Sequence, residues 1–127
     1  MILRQPKIRL LICSRYTLFR EGVKALLDHS DAIQVVGDAS ASRRLLRLVE
    51  RLHPDVVLID AADTDTIRRM LTLDAHVKVL ILSPYDDEHL ISEGLSAGAA
   101  GYIRKGVESE QLKRTIQNVV RGATFAA

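Results

Sequence analysis

The stretch Pro54-Asp55-Val56-Val57-Leu58-Ile59-Asp60 decides the fold: four consecutive apolar residues, three of them β-branched, run into a carboxylate. A run this short, with apolar residues on successive positions, is the signature of a strand covered on both faces, as in a parallel sheet. Working outward, similar runs occur at Ile8 to Ile12 and Gln34 to Val36 before it, and at Val77 to Leu82 and Gly101 to Ile103 after it. Between them lie apolar residues at three- and four-residue steps, the spacing of a helix with one buried face. The sets are Leu18, Val23, Leu26 and Leu27; Leu45, Leu48, Val49 and Leu52; Leu90, Ile91 and Leu95; and Leu112, Ile116, Val119 and Val120, with a shorter helix at Thr64 to Leu71. Strand–helix alternation implies right-handed crossovers between parallel strands and helices on both sheet faces. In such folds chemistry gathers at the carboxyl ends of the strands, which here are followed by Ser14, Arg15, Asp60, Ser83 and Lys105.

The 127 residues suffice for one domain with its own core, and the 47% apolar content comes from aliphatic side chains, with only 4% aromatics. A net charge of +2 does not by itself advertise a nucleic-acid surface. One cysteine, Cys13, allows no internal disulfide and reads as a small buried residue. No apolar run approaches a membrane span, and Met1 to Pro6 is too short and polar for a signal peptide, so a soluble cytoplasmic protein is expected. Internal repeats and low-complexity tracts are absent from the sequence.

Asp60 stands where a buried strand emerges into the prospective site, a place suited to a nucleophile; the alternative is a helix-capping or turn aspartate. Ser83 and Lys105, at the ends of the next two strands, would bring a hydroxyl and an ammonium towards the same carboxylate.

The blocks "FREGVKALL", "QVVGDAS", "HPDVVLID", "VLILSPYDDE" and "AGAAGYIRKG" resemble, in order, those of NarL/FixJ (LuxR-type) response-regulator receiver domains, and the resemblance spans almost the whole chain. It implies a flavodoxin-like, doubly wound (βα)5 fold with a five-stranded parallel sheet in the order 2-1-3-4-5. Residues 1–127 would be one receiver domain with a core of about 7–122. It further implies Asp60 as the phosphoacceptor position, Ser83 and Tyr102 as switch residues and Lys105 as the phosphate contact. The partners it implies are a histidine kinase or another regulatory protein and a second copy, docked through the face of the fourth helix, fifth strand and fifth helix. DNA would be bound only through a C-terminal helix-turn-helix domain expected in the full-length protein and absent from this chain, which is either part of such a regulator or a stand-alone receiver.

The first strand departs from the family pattern. Where relatives carry an acidic pair that holds magnesium, this sequence reads Cys13-Ser14-Arg15-Tyr16, and Glu21 is the first acidic residue of the chain, so no shift of register restores the pair. Ser14 and Arg15 are the replacements. The loop after Asp60, Ala61-Ala62-Asp63-Thr64-Asp65, is also remodelled, with Asp63 and Asp65 reading as helix-capping and first-turn acids rather than substitute ligands. Magnesium requires oxygen ligands, commonly including carboxylates, and a pocket containing Arg15, Lys105 and Asp60 would be about +1. No metal or other cofactor is therefore expected. Arg15 is expected to form a forked pair with Asp60 in place of the metal, or else to face solvent. The resulting expectation is a degenerate, non-enzymatic receiver acting as a regulatory and dimerisation module in transcription control, the alternative being a working phosphorelay receiver phosphorylated on Asp60.

Other motifs carry less. Gly94-Leu95-Ser96-Ala97-Gly98 matches a hydrolase nucleophile pattern, but it ends a helix, where glycines serve as stops. His29, His53, His76 and His89 are single and lack metal-ligand spacing. Arg43, Arg47 and Arg51, beside Arg44, form a helical stripe that reads as a solvated face, with attraction to acidic partners as the alternative.

Overall fold

A computed structural model describes residues 6–60, 63–83, 87–122 and 125–126. Its elements alternate as the sequence predicts: β1 (Ile8–Cys13), α1 (Thr17–Leu27), β2 (Ile33–Ala39), α2 (Ser42–Leu52), β3 (Val56–Asp60), α3 (Thr64–Leu73), β4 (Lys78–Ser83), α4 (Glu88–Ser96), β5 (Gly101–Arg104) and α5 (Ser109–Val120). The strands are parallel in the order β2-β1-β3-β4-β5. A short β6 (Phe125–Ala126) extends the sheet by pairing in parallel with the outer edge of β5, a sixth strand that the sequence reading does not contain.

Side-chain alternation along the central strands divides the core in two. Leu11, Cys13, Val57, Ile59, Val79 and Ile81 face Leu45, Leu48 and Val49 of α2 and Ile67 and Met70 of α3. On the opposite sheet face Leu10, Ile12, Val56, Leu58, Leu80, Leu82 and Ile103 meet Val23 and Leu27 of α1 and Leu112, Ile116 and Val119 of α5. The consecutive apolar residues of β3 are thus explained, since neighbours serve different cores. A bulge in β2 sets Val36 outside the pairing, so that Leu10 faces Val35 and Leu11 faces Gly37.

Some predicted helix faces are narrower than their apolar spacing suggests. Leu18 is 83% exposed and Leu26 51% exposed, because α1 meets the sheet through Phe19, Val23 and Leu27 at strict four-residue steps. Leu95 and Val120 likewise lie at the margin of their helices' buried faces. The third helix starts at Thr64 as expected, where Asp63 accepts from the Thr66 amide at 2.7 Å, and runs two residues further than expected, to Leu73. Gly98 follows α4 at φ +113°, the left-handed conformation of a helix stop, which accounts for the glycine in the hydrolase-like pattern. No described helix is long and apolar enough to cross a membrane.

Candidate functional site

The parallel register brings the strand ends together. Cys13 pairs with Ile59, so the next residues, Ser14 and Asp60, stand side by side at the carboxyl edge. Lys105 follows β5, and its backbone N–H donates to the Ser83 carbonyl at 3.0 Å, fixing where the lysine leaves the sheet. Asp60 Oδ2 accepts from both Lys105 Nζ and Ser14 Oγ, each at 2.9 Å. The Asp60 side chain is 4% exposed and that of Lys105 27%, so the pair is shielded but reached by water on the lysine side.

Two aromatic rings steady the lysine. Its ammonium lies 5.2 Å from the Tyr16 ring centre and 5.3 Å from that of Phe19, within cation–π range. Ser14 is buried, and its oxygen also accepts from the Tyr16 amide at 3.2 Å, binding the β1–α1 turn to the carboxylate. Arg15 does not form the expected fork with Asp60. It is exposed, with its guanidinium 5.2 Å from the Tyr16 ring centre, while Lys105 and Ser14 occupy the carboxylate. This corresponds to the alternative in which Arg15 faces solvent.

Arg20 is the positioning residue that sequence reasoning misses. It donates to the Ser14 carbonyl at 2.6 Å and pairs with Asp38 at 2.9 Å, bracing the turn against β2. Its pairing was latent in the blocks "FREGVKALL" and "QVVGDAS", but only the fold shows that their charges meet. Burial alone would raise the Asp38 pKa, yet hydrogen bonds from Lys24 and Arg20 outweigh it and hold the carboxylate below its usual range. Asp63 is lowered chiefly by the backbone hydrogen bond from Thr66. Cys13 sits behind the site with its thiol pushed up to about 11, first by burial and next by the nearby Asp60 charge.

Over these residues opens a cleft of about 490 Å³ whose walls include Ser14, Arg15, Tyr16, Asp60, Asp63 and Lys105. Ser83 is fully buried at the end of β4 and does not line this cleft. Tyr102 is half-buried against the α2/α3 core and borders a separate shallow hollow with Ile91 and Leu95 of α4. Ala61 and Ala62, in the loop after β3, lie outside the described residues. Among the described residues no group of three or more His, Cys, Asp or Glu side chains is placed to hold a metal.

The response regulator receiver domain model matches residues 10–117. The chain belongs to that family. It is 32% identical over 126 residues to the transcriptional regulatory protein DegU of Brevibacillus brevis, covering 95% of this chain and 53% of that protein. It is also 32% identical to the transcriptional regulatory protein MctR of Rhizobium johnstonii, covering 95% of the chain and 59% of the relative. The signal receiver domain of the response regulator NarL from Mycobacterium tuberculosis superposes with a TM-score of 0.87 at 26% identity, over 93% of this chain and 99% of that one. This receiver thus spans little more than half the length of the curated relatives it matches.

Proposed function

We propose that this receiver is an atypical module of a transcription-regulating response regulator that works without magnesium-dependent phosphorylation. The observation that carries the reading is the double engagement of Asp60 Oδ2 by Lys105 and Ser14, at the position where a family receiver offers its phosphoacceptor.

Magnesium demands a near-octahedral oxygen shell, usually with one or two carboxylates, and the residues here suit it poorly. Asp60 is committed to an ammonium and a hydroxyl, while Asp63 is committed to capping α3. Arg15 and Lys105 add positive charge to the cleft wall. The same contacts lower the nucleophilicity of Asp60, because an ammonium and a hydroxyl on Oδ2 draw charge from the whole carboxylate. In this reading Lys105 holds the carboxylate in a permanently paired state. Signalling then passes through partner binding or expression level, with no enzymatic step.

Tyr102 and Ser83 would keep their switch positions without a phosphoryl group to drive them. The hollow between Tyr102, Ile91 and Leu95 supports a homodimer through α4, β5 and α5. The length of the matched relatives supports a DNA-binding domain after this receiver, with a histidine kinase or another regulatory protein as a further partner.

The metal step is tested by following the amide resonances of Asp60 and Lys105 while magnesium is added to millimolar levels. Unmoved resonances in the parent, with saturable shifts in Ser14→Asp/Arg15→Asp, are expected. Saturable shifts in the parent would refute the reading.

A further inference from the structure

The small net charge of the chain conceals a strongly polarised surface. Helices α2 and α3 lie on the same face of the sheet and share one core, with Leu45, Leu48, Val49, Ile67 and Met70 turned inward. Their outer sides carry six exposed arginines, Arg43, Arg44, Arg47, Arg51, Arg68 and Arg69, against the carboxylates Glu50 and Asp65. That is a net +4 on two helices in a chain of net +2, so all the other residues together carry −2.

We propose that this α2–α3 surface binds the phosphate backbone of duplex DNA without reading its sequence. Three observations carry it. Every cation in the patch is arginine, whose planar fork meets phosphate oxygens in pairs, whereas lysine offers a single charge. Arg43, Arg47 and Arg51 recur at four-residue steps, which on a helix rising 1.5 Å per residue places them about 6 Å apart in one row. The patch is also scarcely neutralised from within. Among the described residues the one ion pair these arginines form is Arg69 with Asp65 at 3.0 Å, both side chains largely exposed, a contact weak enough to exchange for a phosphate. Arg44 spends one N–H on the Asp38 carbonyl at 3.4 Å and keeps its other donors for the surface.

An acidic protein would satisfy the same charge. The choice of DNA rests on the proposed place of this receiver in a transcription regulator, where a separate domain would hold the duplex nearby and this surface would add unspecific attraction. Binding of the receiver itself is independent of that context, so its failure would leave the reading of the Asp60 site untouched.

The test uses the 127-residue chain and a fluorescently labelled duplex of arbitrary sequence, read by anisotropy at low ionic strength, with poly-glutamate as a competing polyanion. If four arginines meet phosphates, a fourfold rise in salt weakens binding about 150-fold. Arg43→Glu/Arg47→Glu/Arg51→Glu should abolish it, while Lys113→Gln/Arg114→Gln on α5 should leave it unchanged, with circular dichroism confirming the fold of both. No binding by the parent, equal binding by the α2 variant, or tighter binding of poly-glutamate than of the duplex would each overturn the proposal, the last in favour of an acidic protein.

Discussion

Replacing Lys105 with methionine removes its charge while keeping most of its length, and so isolates the interaction that defines the site. The 2.9 Å contact links an ammonium to a carboxylate whose side chain is 4% exposed. A hydrogen bond to a charged group is worth about 1.5–3 kcal/mol, and breaking a fully buried pair costs about 3–5 kcal/mol. Lys105 is 27% exposed, so water can partly replace it, and Ser14 remains as a donor. The expected loss is therefore near the lower range, about 2 kcal/mol. With a urea slope of about 2 kcal/mol/M, the midpoint should fall by about 1 M. In an Asp60→Asn background the orphaned charge is gone, and the same lysine substitution should cost below about 0.5 kcal/mol, leaving a coupling of about 1.5 kcal/mol in the double-mutant cycle. Equal midpoint shifts in the two backgrounds would refute the claim that Lys105 neutralises Asp60.

Three further outcomes follow from the surrounding groups. Asp63→Ala should cost about 1 kcal/mol by removing the α3 cap, and Asp63→Asn, which retains an acceptor, should cost less; urea melts of both check this. Because the folded pKa values of Asp63 and Asp38 are depressed, their contribution is present above the unfolded carboxylate range near 4 and is lost as pH falls through the lower folded values. Cys13, raised from 9.0 to about 11, acts in the opposite direction. Its neutral-thiol stability is complete below the unfolded value and is lost as pH rises towards the folded one. Iodoacetamide at mildly alkaline pH should leave native Cys13 unmodified and alkylate it promptly in urea; rapid alkylation of the native chain would contradict its burial.

The alternation of strands and helices was legible because short apolar runs alternate with helically spaced apolar residues, whereas the order 2-1-3-4-5 followed from the family resemblance and not from the runs themselves. What sequence could not weigh was competition among neighbours. Leu18 and Leu26 satisfy helical spacing as well as Val23 does, yet a helix resting on a sheet buries only a narrow stripe, and Phe19 and Leu27 take it. The same limit applied to Asp60. Its closeness to Ser14 follows from strand register, but whether Arg15 or Lys105 would claim its oxygen depended on the Tyr16 and Phe19 rings that hold the lysine. The two-residue β6 carries no periodic signal at all, and the arginine surface emerges only once α2 and α3 are seen to share a face.

The central claim, a receiver preset by Lys105 and Ser14, is tested most directly by the intact mass of the chain after incubation with acetyl phosphate, with and without magnesium, beside Asp60→Asn. The account predicts one unchanged mass under all conditions. A phosphoryl adduct that forms on the parent chain and disappears in Asp60→Asn would contradict it, and dependence of that adduct on magnesium would refute the proposed loss of metal binding as well.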